Sequence, residues 1–381
     1  MFKVLVISHS AIQTTYQRKF DEIAKQHIGL RVLVPSKWVE NTLVLYMLPR
    51  KDKVSWHTGK VTFPGYGSRF FFINGIIEHF RDFRPDIIHL EEEPWSMSAI
   101  QTIVLRKIFC PQSKLIFRTS LSIPAKQRLN FMASRIERIT FKESDYAFIL
   151  SERAGEILRQ KGYDKGMKVS PNGIDSQIFR KMNMDSLKAR LGIKDGDIVI
   201  GYVGRLMKMK GLDILLKAFS LLIESDMKNL CLLIVGSGEF KEEMVQIASQ
   251  LGISEKMIMV DAVPAEDVPK YINCMDIFVL PSITTPGWVE FFGRTLVEAM
   301  MCEVPVVGSS SGEIPNVIDN AGLIFNEGDE TNLSDKLARL IENTELRHSL
   351  IQRGKERAFS LYTWESIGKD TYDTYCKVLY P

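Results

Sequence analysis

Two carboxylates and two cations in the second half of the chain are of types that could act on a phosphorylated sugar. Glu290 and Glu298 bracket the start of a helix predicted at 293–301, and Arg205 and Lys210 lie in an earlier loop. A carboxylate can accept two hydrogen bonds from a ribose diol or face a developing oxocarbenium charge. The cations can neutralise the charge that develops on a departing diphosphate. Taken alone, the glutamates are better explained as solvated residues of an amphipathic helix. For the two cations, a solvated basic loop is as good an explanation as a diphosphate-binding site.

The elements around these residues predict where a ligand would lie. Residues 277–280 form a short apolar run that predicts a strand, a loop rich in Ser, Thr, Pro and Gly follows, and 304–308 is the next apolar run. In such a strand–loop–helix–strand unit, the helix N-terminus opens at the carboxyl ends of parallel strands, where ligands bind in open α/β sheets. The amides at 293–295 therefore suit a phosphate.

The alternation of strands and helices extends along the whole chain and predicts an α/β fold with parallel sheets. In the first half, strands are predicted at 4–7, 30–34, 86–90, 115–118 and 147–150, and helices at 16–26, 70–83 and 125–142. In the second half, strands are predicted at 198–203, 230–235, 257–260, 277–280 and 304–308, and helices at 211–223, 240–251, 267–273, 293–301, 332–343, 346–359 and 364–378.

A polar segment rich in Lys, Asp, Asn and Gly separates the two halves and contains the turn signal Pro171-Asn172-Gly173. At 381 residues the chain is too long for one typical core. We therefore expect a first domain at 1–170, a linker at 171–197, a second domain at 198–360, and a C-terminal helix at 361–381 that packs back against the first domain.

Composition and charge narrow the class of protein. The chain is 45% hydrophobic and 25% charged, with no run that approaches a membrane span, and its N-terminus has the pattern of a first strand. Its five cysteines, without a C-x-x-C pair, fit reduced thiols, so we expect a cytoplasmic protein. Residues 1–170 carry 27 Lys and Arg against 16 Asp and Glu, an excess of +11, whereas residues 171–381 carry an excess of −8. This asymmetry indicates that the halves face different partners, and the positive excess predicts an anionic partner for the first half.

Short motifs across residues 165–320 resemble the family 4 glycosyltransferases, which are retaining enzymes with two facing Rossmann-like domains (the GT-B architecture). Each motif is weak alone, but their order and spacing are specific. They are PNGID at 171–175, VGRL at 203–206 with KG at 210–211, GSGE at 236–239, EFFG at 290–293 with EAM at 298–300, and SGEIP at 311–315. The rest of the chain matches mainly in its strand–helix pattern.

The resemblance implies transfer of a sugar from a nucleotide-diphosphate donor to a glycan or lipid-linked acceptor bound by the first domain, with no metal or other cofactor. It implies that Arg205 and Lys210 hold the donor diphosphate, that Glu298 binds the ribose and that Glu290 contacts the donor sugar. No protein nucleophile is required, because the departing diphosphate can accept the acceptor's proton. The further donor-binding positions that it implies are Gly204, Gly211, Ser237, Gly238, Phe291, Phe292, Gly293 and Thr295.

The first half departs from the family pattern at two places where members often contact the donor. The loop at 8–13 has no glycine pair, and the run at 117–122 has no histidine. His9 and Arg118 are the remaining candidates on the acceptor side or in the cleft, although a single histidine near a strand end more often has a structural role. Glu91, Glu92 and Glu93 follow a strand, and we expect a solvated acidic loop there rather than carboxylates that orient an acceptor. In the second half, Phe291 stands where members often have glycine.

The helix predicted at 125–142 suggests a second partner. Its apolar residues are best explained by core packing, but its basic face also fits reversible association with an anionic membrane at the inner surface. No nucleic-acid partner is expected. The basic residues are Lys126, Arg128, Arg135, Arg138 and Lys142, and the apolar face contains Leu129, Met132, Ile136 and Ile139.

Two other functions stay open at this point. One is a non-catalytic, degenerate transferase that acts as a partner subunit, and the other is a nucleotide-sugar epimerase or hydrolase of the same architecture. A nicotinamide oxidoreductase is disfavoured, because no G-x-G-x-x-G follows the first strand.

Overall fold

The computed structural model describes residues 1–40, 43–47, 53–121, 131–225, 227 and 229–381. These residues form two compact units, one containing 1–173 with 364–381 and the other containing 174–363. Each unit is built on a parallel sheet flanked by helices, which confirms the predicted α/β fold class. Residues 174–197, which the sequence analysis placed in the linker, lie in the second unit.

Among the described residues, ten strands lie on the predicted apolar runs, and five were not predicted, namely those at 37–40, 43–46, 55–59, 166–169 and 322–325. In the first unit they are β1 Lys3–Ile7, β2 Gly29–Pro35, β3 Lys37–Glu40, β4 Leu43–Tyr46, β5 Ser55–Gly59, β6 Ile87–Leu90, β7 Lys114–Thr119, β8 Tyr146–Ile149 and β9 Gly166–Val169. In the second unit they are β10 Ile198–Val203, β11 Leu230–Val235, β12 Met257–Val260, β13 Ile277–Leu280, β14 Val306–Ser309 and β15 Gly322–Phe325.

The helices cover the faces of both sheets. In chain order they are α1 Thr14–Ala24, α2 Ile77–Arg81, α3 Met97–Phe109, α4 Phe131–Glu143, α5 Glu152–Gln160, α6 Asp185–Arg190, α7 Leu212–Glu224, α8 Lys241–Gln250, α9 Val268–Ile272, α10 Arg294–Met301, α11 Ile314–Ile318, α12 Glu330–Glu342, α13 Thr344–Tyr362 and α14 Trp364–Leu379.

The sheet of the first unit has the order β5-β2-β1-β6-β7-β8-β9, and all its neighbours are parallel. Strand β1 pairs with β2 on one side and with β6 on the other, so the chain switches direction across the sheet at β1. Ligands of open α/β sheets bind at such a switch point, beyond the carboxyl ends of the strands. The loops after β1 and β6 are therefore the places to look for a site in this unit.

The sheet of the second unit has the order β12-β11-β10-β13-β14-β15, again entirely parallel. Its switch point lies at β10, which pairs with β11 and β13. The buried residues of β10, β11 and β13 form the centre of the core, and Leu232 and Phe278 are fully buried there. This sheet places the ends of β10 and β13, which carry the predicted donor-binding motifs, side by side.

The prediction of a helix at 70–83 is wrong for its first half. The helix there is only Ile77–Arg81, while Phe70 and Phe72 are buried and Phe72 forms an isolated antiparallel bridge with Val61. Gly75 has a φ of +73°, and a Cβ at that position would lie 2.9 Å from the carbonyl oxygen of Thr58. A left-handed residue pressed against a neighbouring strand cannot belong to an α-helix.

The helix predicted at 125–142 is found at Phe131–Glu143, and residues 125–130, with Lys126, Arg128 and Leu129, lie outside the described residues. The expectation that its apolar residues pack into the core is wrong for Met132 and Ile139, which are 62% and 39% exposed. The helix instead buries Ile136 and Glu137, and Glu137 is paired with Lys161 at 2.5 Å. Packing against the sheet has therefore turned two apolar residues outward.

The C-terminal helix packs back onto the first unit, as predicted. Helix α14 lies along α1, and a Cβ on Gly368 would lie 2.6 Å from the Cβ of Glu22, so the two helices are in close contact. The hydroxyl of Tyr375 lies 2.6 Å from Nδ1 of His89, at the carboxyl end of β6. The helix thus supports the strand whose following loop carries three glutamates.

Candidate active site

In the second unit, a left-handed glycine places Lys210 beside the loop that carries Glu290. Gly211 has a φ of +65° and precedes α7, and a Cβ there would lie 2.0 Å from the carbonyl oxygen of Pro281. Only glycine permits this close approach of the β10–α7 loop to the end of β13. The amide of Ile283 also donates to the carbonyl of Met209 at 2.9 Å, which joins the two loops.

Glu290 is the centre of a small buried cluster. Its Oε2 lies 2.6 Å from Nζ of Lys210 and accepts a hydrogen bond from Oγ of Ser282 at 2.9 Å. The side chains of Lys210 and Glu290 are only 16% and 11% exposed. The Lys210 ammonium also lies 4.9 Å from the centre of the Trp288 ring. A carboxylate held this way is oriented and partly shielded from water, which suits contact with a sugar or its developing charge.

The backbone at Glu290 is as tightly held as its side chain. Its carbonyl accepts a hydrogen bond from the amide of Glu313 at 3.0 Å, and a Cβ on Gly312 would lie 2.1 Å from this oxygen. Gly312 therefore allows the loop after β14 to lie against the loop after β13. Further along, the hydroxyl of Thr284 donates to Glu327 at 2.9 Å. Both ends of the loop are therefore fixed.

Helix α10 presents its N-terminus next to this loop and buries Glu298 within it. Gly293 precedes the helix with a φ of +76°, and the Arg294 Nε donates to Glu298 Oε1 at 2.8 Å. Burial raises the pKa of Glu298 above its ordinary value, although the Arg294 guanidinium opposes that rise. The carboxylate can accept hydrogen bonds on both oxygens while it is ionised, and its raised pKa means that it is protonated at a higher pH than an ordinary glutamate.

The glycines of the GSGE motif have a packing role. A Cβ on Gly236 would lie 1.9 Å from the carbonyl oxygen of Gly204, and one on Gly238 would lie 2.2 Å from that of Leu206. The turns after β10 and β11 are therefore in backbone contact, and the Leu206 amide donates to the Ser237 carbonyl at 3.0 Å. This packing accounts for the glycines without a phosphate.

The remaining predicted positions differ in exposure. Arg205 is exposed, and its carbonyl accepts a hydrogen bond from the Tyr202 hydroxyl at 2.9 Å. Phe291 is 37% exposed, whereas Phe292 is buried and packs edge-on against Tyr362 with ring centres 5.5 Å apart. Side-chain contact with a ligand is therefore open to Phe291 and Arg205, while Phe292 could offer only its backbone. Thr295 is half-buried in the first turn of α10.

In the first unit, a cavity of about 480 Å³ lies beyond the carboxyl ends of β1, β6 and β7. Both acceptor-side candidates, His9 and Arg118, line it. Its wall is part charged and part aromatic. The other lining residues are Ser10, Tyr16, Lys19, Phe20, Gly67, Ser68, Glu91, Glu92, Glu93, Trp95, Ser120, Pro171, Asn172 and Trp364.

The prediction of a solvated acidic loop at 91–93 is wrong, because each glutamate there has its own partner. Glu91 forms an ion pair with Lys19, and both side chains are at most 7% exposed. Glu92 is paired with His9, and its side chain is 1% exposed. Glu93 accepts hydrogen bonds from the hydroxyls of Thr119 at 2.5 Å and Ser120 at 2.7 Å.

The charge of Glu91 is fixed by its surroundings. Burial would raise its pKa, but the cations Lys19 and Arg118 outweigh burial and hold the pKa at about 2. His89 on the other side is neutral, because complete burial lowers its pKa to about 3. Arg118 lies 4.0 Å from Glu91 and donates to Asn172 Oδ1 at 2.9 Å. On the floor of the cavity, the Glu91 carboxylate is therefore held between the cations Lys19 and Arg118.

Sequence reasoning missed several members of these clusters. Ser282, Trp288 and Arg294 surround Glu290 and Glu298, and Lys19 contacts Glu91. Arg294 could have been found, because it precedes Glu298 by one helical turn. The contacts of Ser282 and Trp288 depend on how an irregular loop folds back, for which the sequence has no periodic signal.

Comparison with known proteins gives these clusters a family context. Residues 183–357 match the sequence family described as Glycosyl transferases group 1. The chain resembles the family 4 glycosyltransferases. Among solved structures, the α/β fold with two parallel sheets is shared with Anabaena Alr3699/HepE in complex with UDP, at a TM-score of 0.71 and 16% identity over 98% of this chain and 100% of that chain. At this identity the likeness concerns the fold.

Curated relatives are more similar to this chain in sequence. The Staphylococcus aureus capsular polysaccharide biosynthesis glycosyltransferase CapM is 28% identical over 214 residues, 55% of this chain and 54% of that protein. The Bacillus anthracis N-acetyl-alpha-D-glucosaminyl L-malate synthase is 27% identical over 219 residues, 57% of this chain and 55% of that protein. The chain spans about half the length of the curated relatives it matches.

Proposed function

We propose that the chain is a retaining glycosyltransferase that moves a sugar from a nucleotide-diphosphate donor to a glycan or lipid-linked acceptor in surface polysaccharide or glycolipid synthesis. One observation carries this proposal. Lys210 and Glu290, 80 residues apart in sequence, meet at 2.6 Å at the switch point of the second sheet. This contact supports a site in which a cation for a leaving diphosphate lies beside a carboxylate for a sugar.

The neighbouring helix supplies the other donor contacts. The α10 N-terminus offers backbone amides to a phosphate, and Glu298, one turn further, would accept the hydroxyls of a ribose. The UDP in the HepE structure supports a nucleotide as the ligand of this fold. In this mechanism Arg205 and Lys210 neutralise the departing diphosphate without a metal, and that diphosphate accepts the acceptor's proton.

The experiment is a ligand panel followed by turnover. Thermal shift with UDP, GDP and ADP identifies the base, and the matching sugar nucleotides identify the donor. Turnover is then measured with and without EDTA, and the anomeric configuration of the product is read by NMR. Nucleotide binding without turnover would favour a non-catalytic partner, an inverted product would refute retention, and loss of turnover in EDTA would refute the metal-free mechanism.

A membrane-facing acceptor is supported by α4. Phe131 and Met132 are 70% and 62% exposed, and Arg135 and Arg138 are exposed beside them. Across the described residues, no helix combines the length and apolarity that a membrane span requires. Exposed aromatic and basic side chains on one helix suit reversible binding to an anionic bilayer. We propose that this surface holds the enzyme near a lipid-linked acceptor.

A further inference from the structure

We propose that the cavity of the first unit binds a neutral, polyhydroxylated group of the acceptor, and that Nε2 of His9, oriented by Glu92, accepts a hydrogen bond from one of its hydroxyls. This inference rests on the proposed function and names the substrate class of its acceptor side. Two independent features support it: the orientation of His9 and the charge balance of the cavity.

The contacts of His9 leave one ring nitrogen for a ligand. Its Nδ1 lies 2.6 Å from Glu92 Oε2, and its backbone amide donates to Glu92 Oε1 at 2.6 Å. The ring lies against Trp38, with centres 4.6 Å apart, and Phe70 meets it edge-on. Because the carboxylate accepts a hydrogen bond from Nδ1–H, a neutral His9 carries its lone pair on Nε2.

The opposite nitrogen faces the part of the cavity that is open to a ligand. Gly67 lines the cavity, and a Cβ added to it would lie 3.9 Å from Nε2 of His9. Apart from the residues next to Gly67 in the chain, this Cβ would meet only the His9 ring within 4 Å. The His9 side chain is 29% exposed, whereas that of Glu92 is 1% exposed. The pair therefore has a buried anchor and an accessible end, which is the arrangement of an oriented base rather than of a core histidine.

The charges of the cavity favour a neutral ligand. Three carboxylates, Glu91 to Glu93, face two cations, Lys19 and Arg118, and His9, which can be charged or neutral. Burial lowers the pKa of Lys19 and raises the pKa of Glu92. With His9 neutral the wall carries a net negative charge, so an anionic acceptor group would be repelled. The aromatic side chains of Trp95 and Trp364 in the same wall suit the apolar faces of a sugar ring.

The volume of the cavity also fits a sugar. A cavity of about 480 Å³ lies within the usual range of small-molecule sites and has room for one or two sugar rings.

Since the charged groups of the cavity do not sum to a positive charge, the excess positive charge of residues 1–170 does not lie in this cavity. It lies elsewhere, in part on the exposed face of α4 with Arg135, Arg138 and Lys142.

The interaction should depend on pH in a defined direction. Burial would lower the pKa of His9, but the carboxylates of Glu92, Glu40 and Glu93 outweigh it and raise the pKa above its ordinary value. Since Nε2 accepts a hydrogen bond only when His9 is neutral, affinity for a neutral sugar should increase as the pH rises through this raised pKa. Glu92→Gln should shift that increase to lower pH, because it removes the nearest negative charge.

The test uses the full chain and needs no transfer activity. The Cε1–H signals of the six histidines are followed by NMR, and the His9 signal is assigned with His9→Asn. The probes are methyl glucosides, maltose and myo-inositol, each paired with an anionic counterpart, namely glucuronic acid, maltose phosphate and inositol phosphate. His27→Asn is the matched control, because His27 is exposed and has a φ of +56°, which asparagine tolerates.

We expect at least one neutral sugar to shift the His9 signal and to bind at least about 10-fold more tightly than its anionic counterpart. At a pH where His9 is neutral in both proteins, Glu92→Gln should lose about 10-fold in affinity, because the ring is no longer oriented by the carboxylate. His27→Asn should bind as the original chain does. The proposal is overturned if an anionic counterpart binds more tightly, if affinity falls as His9 loses its proton, or if no neutral sugar in the panel moves the His9 signal. Failure of the donor panel alone would instead refute the proposed transfer.

Discussion

Replacing Lys210 by alanine should separate two roles of the Lys210–Glu290 pair. The first role is structural, since the two side chains are mostly buried and their charged atoms lie 2.6 Å apart. Removing one partner of a buried ion pair costs about 3–5 kcal/mol, because the other charge is left without compensation. Glu290 keeps its hydrogen bond from Ser282 and some contact with water. We therefore expect a loss of about 2–3 kcal/mol in the free energy of unfolding.

The second role is electrostatic stabilisation of the leaving diphosphate. Removing one preorganised stabiliser of a transition-state charge lowers kcat by about 100-fold or more. Combining Lys210→Ala with Glu290→Gln should restore much of the lost stability, because no uncompensated charge remains. It should not restore turnover, since both functional groups are gone.

The assays are urea unfolding and donor turnover on the single and double variants. Lys208→Ala is the matched control, because Lys208 lies in the same loop with its side chain 72% exposed and forms a 3.5 Å surface pair with Glu243. Its loss should change stability by at most about 0.5 kcal/mol and leave turnover intact. The reasoning is refuted if Lys210→Ala keeps full turnover, or if the double variant regains turnover together with stability.

The charges of Glu298, of Glu91 and of the basic face of α4 each lead to a further prediction. Nucleotide affinity, measured by calorimetry, should decrease as the pH falls toward the raised pKa of Glu298. Arg294→Met should move this decrease to higher pH, because it removes the guanidinium that opposes the rise in the Glu298 pKa. An unchanged pH profile would contradict this assignment. The original chain should be more stable than Glu91→Gln by an amount that is complete above pH 4.5 and vanishes as the pH falls to about 2, because the depressed pKa of Glu91 favours the folded state only while the carboxylate is ionised. Denaturant unfolding at stepped pH tests this, and a stability difference that persists at pH 2 would refute it. Binding to anionic vesicles, measured by co-sedimentation, should weaken steeply as salt rises. The double variant Arg135→Glu, Arg138→Glu should weaken it further without a change in nucleotide affinity. No binding even at low salt would refute the membrane role of α4.

Ten strands of the two parallel sheets were predictable because each is a short apolar run bounded by turn residues, whereas β5, β9 and β15 were not predicted. The cluster around Glu290 was predictable in part, since the order of the motifs brings Lys210 and Glu290 into one site. The loop between Ser282 and Glu290 was not, because its fold depends on backbone contacts such as that between Gly211 and the Pro281 carbonyl. Such contacts leave no periodic pattern in the sequence.

The glutamates after β6 show why local sequence misleads at a buried polar site. Three adjacent like charges favour a solvated loop, and nothing within the loop contradicts this. Their partners are distant in sequence, since Lys19 is 72 positions from Glu91 and His9 is 83 positions from Glu92. The apolar residues at 70–76 misled in the opposite sense, because their density indicated a helix that Gly75 prevents.

The net charge of a domain and the charge of its site are therefore separate quantities. The excess of +11 in residues 1–170 indicated an anionic partner for the whole domain. In the structure the cavity groups Lys19 and Arg118 are balanced by Glu91 and its neighbours, while Arg135 and Arg138 lie exposed on α4. Exposed charges act over roughly 8–10 Å and are screened by salt, whereas buried ones act on the group they contact. A salt-dependent membrane surface and a neutral sugar pocket can then coexist in one domain, and salt should weaken the first while leaving the second unchanged.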